Sequence, residues 1–81
     1  MRVLRQPGTT VTVLAILGMK DNECREIVTS ALEAMQGVLE AHVSLLRGRA
    51  TVWHEAQCHP ADLIRAVERA AFSASVAPEG A

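Results

Sequence analysis

The chain has 81 residues, 49% of them hydrophobic, with one Trp, one Phe, no Tyr and a formal net charge of -1. That length supports one modest core and excludes two, and the core must come from Val, Leu, Ile and Ala without the aromatic mass that anchors many small domains. The eight Lys and Arg are scattered, which leaves no basic field for DNA or RNA, and no apolar run approaches the roughly 20 residues of a membrane span.

The opening "MRVLRQPGTT" carries two arginines but no apolar segment before Pro7, so it does not read as a secretory leader. The expectation is a cytoplasmic protein without direct membrane insertion. Its two thiols, Cys24 and Cys58, are then reduced, buried or ligating rather than paired.

Residues 1–9 are polar with Pro-Gly at 7 and 8, and read as a loose lead-in to a domain over residues 10–77. "VTVLAIL", Val11 to Leu17, is β-branched and apolar between Pro-Gly and Gly18, the form of a central strand. From Glu23 to Gln36, Ile27, Val28, Ala31, Leu32 and Met35 recur at helical spacing. Gly37 stands where a helix C-terminal glycine would close that segment.

"VLEAHVSLL" then reads as a second strand, "RG" as a tight turn and "RATVWHE" as a third strand in hairpin register. Pro60 opens a second helix, with Leu63, Ile64, Val67, Ala70 and Ala71 on one face. "FSASV" is a short last strand, and residues 78–81 a frayed tail or linker. Strand, helix, strand, strand, helix, strand is the α+β, ferredoxin-like βαββαβ order. Right-handed crossovers give it a four-stranded antiparallel sheet with two helices on one face and the first strand between the third and fourth.

In "TVTVLAILGM", "ALEAMQGV", "RATV" and "PADLIRAVERAAF" the chain resembles the heavy-metal-associated domain family: copper chaperones, mercury-binding proteins and the N-terminal modules of metal-transporting P-type ATPases. The likeness runs from Thr10 to Val76. The family's metal loop is Gly-Met-Thr-Cys-x-x-Cys, and laid on Gly18 to Cys24 it keeps Cys24 but puts Asp21 where the first cysteine belongs. The departure falls on the metal chemistry and spares the scaffold.

Two thiolates suit Cu(I) or Hg(II), because soft sulfur selects soft ions. A thiolate with a carboxylate is a harder pair and shifts preference toward Zn(II) or Cd(II), so the implied cargo is Cu(I), Zn(II) or Cd(II). Two protein ligands are fewer than zinc sites normally supply; water, Glu23 or a second protein molecule would complete the shell. Asp21 has a second reading as a helix N-cap, for which aspartate is among the best residues. Cys24 is either a small residue of the first helical turn or a thiolate favoured by the helix N-terminus. The resemblance makes Met19 a core residue beneath the loop and Phe72 an aromatic shield at the same end of the sheet. Ala71 departs from the glycine often found before that aromatic.

"HEAQCHP" offers His54, Cys58 and His59, but the third strand runs opposite to the first and carries this cluster away from the loop. It also lacks the usual pair spacing of structural zinc. His54 is expected at the sheet margin, His59 just before the second helix, and His42 alone and solvated on its strand.

With Leu14, Ile16, Val43, Leu45, Ala50 and Val52 turned inward, alternation sends Val13, Ala15, Leu17 and Trp53 to the uncovered face. That face is a candidate partner or dimerisation surface anchored by Trp53. No catalytic constellation accompanies it, so an enzyme is not indicated. The expected function is a metallochaperone or the regulatory module of a metal-transporting ATPase, with that ATPase or its other domains as partner and metal bridging or the open face as routes to a homodimer. The alternative is a metal-inactive interaction module.

Overall fold

The computed structural model describes residues 9–77. Thr12, Leu14 and Ile16 are buried while their neighbours in sequence are not, so the period of two that makes this segment a strand also gives it an inner face. This strand, β1 (Thr9–Leu17), is followed by α1 (Asn22–Glu33), β2 (Val38–Ser44), β3 (Arg49–Glu55), α2 (Pro60–Arg69) and β4 (Ser73–Val76). The sheet order is β2-β3-β1-β4 and every neighbouring pair is antiparallel. This is the ferredoxin-like arrangement expected from the sequence.

Val28 and Leu32 of α1 and Leu63 and Val67 of α2 form one buried cluster with Leu14, Ile16, Ala41, Ala50 and Val52 of the sheet, so both helices cover the same face. Each fully buried Val or Leu contributes about 1.5–3 kcal/mol. At one end of the sheet lie the β1–α1 loop, the β2–β3 turn and the α2–β4 connection: Ala15 pairs with Arg49, Leu17 with Ser73, and the Ile16 N–H donates to Gly48 O at 2.7 Å. At the other end the Glu55 N–H donates to Gly37 O, and Cys58 lies against Gly37.

Several boundaries differ from the sequence expectation. β1 begins at Thr9, inside the stretch read as lead-in; the rest of that lead-in and the 78–81 tail lie outside the described residues. α1 stops at Glu33, because the Met35 N–H turns back to Leu32 O and tightens the last turn. Gly37 is therefore not its cap but a turn residue at φ +95°, close against Cys58. β2 ends at Ser44, so Leu45 belongs to the turn and Leu46 is 96% exposed. Ile27, expected in the apolar stripe, is an exposed residue.

α2 is followed by a Schellman motif. The Ala71 N–H donates to Glu68 O and the Phe72 N–H to Val67 O, with Ala71 at φ +78°. Glycine is the usual occupant of that left-handed position, and here a Cβ is carried at some cost.

Candidate metal centre

Gly18 leaves β1 at φ +104°, a backbone conformation suited to glycine, and a Cβ there would stand 3.3 Å from Cδ1 of Phe72. The Phe72 ring thus lies directly against the start of the loop. Met19 is partly buried and packs on the core cluster, which draws the loop down onto the sheet. Lys20, Asp21, Asn22 and Glu23 are exposed around it, and Cys24 is half-buried.

Asp21 is the N-cap of α1. Its backbone is extended, and its Oδ1 accepts from the Cys24 N–H at 3.0 Å. That N–H belongs to the first turn, which has no carbonyl partner within the helix, so the carboxylate satisfies a donor that would otherwise face solvent. The Cys24 backbone N–H, then the Cys24 thiol, the Glu23 N–H and the Lys20 charge hold the Asp21 carboxyl below the ordinary aspartate range, against a smaller opposing effect of desolvation.

The two residues singled out as ligands are therefore together, a carboxylate with one oxygen engaged as a cap and a thiol beside it. Among the described residues no group of three or more His, Cys, Asp and Glu side chains converges. The donors on hand are one sulfur and one carboxylate oxygen, a mixed pair that accepts borderline ions and needs outside donors to fill a shell.

The second cluster is dispersed by the fold. His54 is not at the sheet margin but in the core, 1% exposed, because it shares the parity of Ala50 and Val52. Its Nδ1 lies 2.9 Å from Glu55 O, and its Nε2 lies 2.7 Å from the Thr12 hydroxyl. A carbonyl only accepts, so the network places the proton on Nδ1 and the Thr12 O–H donates to Nε2. Cys58 is buried, with its thiol pushed up by burial and by the charges of Asp62 and Glu55. His59 is the N-cap of α2, where its N–H reaches Asp62 Oδ2 at 3.4 Å. Both cysteines are free.

On the open face, Val11 and Leu17 are exposed, while Val13, Ala15 and Trp53 are half-buried. His42 is exposed but not alone. Its Nε2 lies 2.5 Å from Glu40 Oε2, and its ring stands edge-on to Trp53 with centroids 5.2 Å apart. Neither this contact nor the Thr12–His54 pair was among the sequence expectations; strand parity and hairpin register are the signals that carry them.

The family model described as Heavy-metal-associated domain matches residues 13–73. Among solved structures, a copper binding domain from HMA7, a P-type ATPase, is 29% identical with a TM-score of 0.83, covering 88% of this chain and 97% of its own. Oxidized MerP from Ralstonia metallidurans CH34 is 25% identical, TM-score 0.82, over 86% of this chain and 99% of its own. The CopZ metallochaperone is 25% identical, TM-score 0.78, over 82% and 100%. Among curated protein sequences none matches this chain.

Proposed function

The chain belongs to the heavy-metal-associated domain family, and from that premise we propose that it binds a transition-metal ion at the Gly18–Cys24 loop and passes it on by ligand exchange. It would act as a metallochaperone or as the regulatory module of a metal-transporting ATPase. The observation that supports this reading is the meeting of the Asp21 carboxylate and the Cys24 thiol at the N-terminus of α1. Cys24 Sγ is the anchor, and the Asp21 oxygen outside the capping bond is the second donor. Sulfur with oxygen favours Zn(II) or Cd(II), and sulfur alone retains Cu(I). Water, Glu23 or a second molecule supplies the remaining donors, and two chains giving one sulfur each can share an ion. An incoming partner's donors enter those positions first, and Cys24 leaves last. Phe72 and Met19, packed beside and beneath the loop, hold its shape during the exchange.

The test is an amide NMR titration with Cu(I) and then Zn(II) under reducing conditions, repeated on Cys24→Ser. Saturable shifts confined to Gly18 through Arg25 and the region of Phe72, lost in the variant, are expected. No shift there at near-stoichiometric metal with either ion would sink the proposal for both.

A second reading, a metal-inactive interaction module, draws on one observation: Val11 and Leu17 are exposed on the same face of β1 that carries Val13. In that case Trp53 emission shifts with protein concentration or partner while the metal loop stays silent. Emission constant across concentration and partner removes it.

A further inference from the structure

We propose that the open face of the sheet pairs with the same face of a second copy of this chain in one orientation. β2 lies over β2 and β3 over β3, antiparallel, about a two-fold axis that crosses the strands along the rung of His42, Thr51 and Val13. This rests on the reading of the face as an interaction surface and deepens it by naming the occupant. The register supplies the frame. On one side of the Thr51 rung stand Glu40, Trp53 and Val11; on the other stand Ser44, Arg49 and Ala15, with Arg47 beyond them in the hairpin turn.

The two ends of the face differ, and under that axis they fit each other. Toward the hairpin turn lies a shallow concavity of about 460 Å³ lined by Val13, His42, Ser44, Thr51 and two arginines. Trp53 lies outside it, one rung to the other side of the axis, with its ring edge-on to His42. The two-fold carries Trp53 of each copy over the Ser44 and Arg49 rung of the other, so a ridge meets a basin twice. Charge follows the same pattern. Glu40 is exposed at the tryptophan end, and Arg47 is exposed at the turn and lines the basin. Arg49 makes an interaction within its own chain, so the pairing falls to Arg47. With β2 over β2, Arg47 of one copy comes toward Glu40 of the other, and twice over. An axis along the strands would instead bring like ends together. Val11 and Leu17, both exposed, come under Ala15 and Thr9 of the second copy.

The covered area sets the strength. Four strands about 4.8 Å apart, with same-face rungs about 7 Å apart, give roughly 400 Å² per copy, about half of what each partner buries in a stable complex. The dimer is therefore weak and reversible. The experiment is sedimentation velocity with amide NMR on the metal-free protein, in chelator and thiol reductant so that no ion bridges two thiols, over a concentration series into the millimolar range. A rising sedimentation coefficient is expected, with concentration-dependent shifts of Val13, His42, Arg47, Thr51 and the Trp53 indole, while Gly18 to Arg25 stay still.

Arg47→Glu and Glu40→Arg, both at exposed positions, each set like charges together twice per dimer and weaken self-association about tenfold. An equal mixture of the two variants restores association, because every contact in the mixed pair is again of opposite sign. Thr51→Lys, on the axis, places two charges against each other and abolishes association. Protein that stays monomeric into the millimolar range, a dimer whose shifts lie elsewhere, or variants that associate as the wild type does would overturn the proposal. A monomer whose Trp53 emission responds to another protein overturns it too, while leaving the second reading above in place.

Discussion

The hydroxyl of Thr12 on β1 donates to Nε2 of His54 on β3 across 2.7 Å, and both side chains are buried beneath the helices. Thr12→Val keeps the shape and strands the imidazole nitrogen in the core, which costs about 1–3 kcal/mol. Adding His54→Leu removes the stranded group as well, so the double variant loses less than the sum of the singles. Urea unfolding of the four proteins in a double-mutant cycle checks this, and ring 15N shifts of the wild type should show the proton on Nδ1.

Ala71 occupies a left-handed position that its Cβ disfavours. Ala71→Gly relieves that conflict, and the gain exceeds the added chain entropy of glycine, for a net stabilisation on the order of 1 kcal/mol. The urea midpoint should rise with the slope of the transition unchanged.

Asp21 binds its proton more weakly folded than unfolded, since the Cys24 N–H favours the carboxylate. Its contribution to stability is therefore complete above the unfolded value and is lost as pH falls through the folded one. Asp21→Asn, which can still cap, should flatten this acid limb of the stability profile with little change at neutral pH. Asp21→Ala should lower stability at every pH. If the carboxylate is also a ligand, Asp21→Asn weakens metal binding while the fold is kept, and urea transitions run beside metal titrations separate the two roles.

The two thiols should differ in reactivity. Cys24 is half-buried at a loop, whereas Cys58 is closed in against Gly37 and its thiol is pushed up by burial and by Asp62 and Glu55. At mildly alkaline pH iodoacetamide should label Cys24 first, and peptide mass mapping over time reads the order.

The fold was largely legible because its code is local. Leu14 and Ile16 alternate with outward residues, Val28 and Leu32 sit one turn apart, and Pro60 marks a helix start. What escaped the sequence depends on pairing between strands or on how a turn closes. The apolar Met35, with Gly37 two residues on, extends the helical pattern past Glu33, where the backbone already turns away. A bulge between Val38 and Glu40 resets the register of β2 and places Glu40 opposite Trp53, with His42 on the same face. Polarity alone sets His54 at the margin, although its parity with Val52 turns it inward, and a partner on another strand, Thr12, makes that burial tolerable. At the loop, the pairing of Asp21 with Cys24 follows from three-residue spacing at a helix start, whereas the edge-on contact of His42 with Trp53 exists only once β2 and β3 are aligned.

Within the loop, Met19 packs on the hydrophobic cluster while Asp21 to Glu23 are exposed, and the cap at Asp21 is a bond that asparagine or serine could also make. Folding thus constrains only weakly the very positions that the proposed function assigns to an ion. A donor set proposed there can change one residue at a time while the frame stays whole, because no contact of the hydrophobic cluster is lost with it.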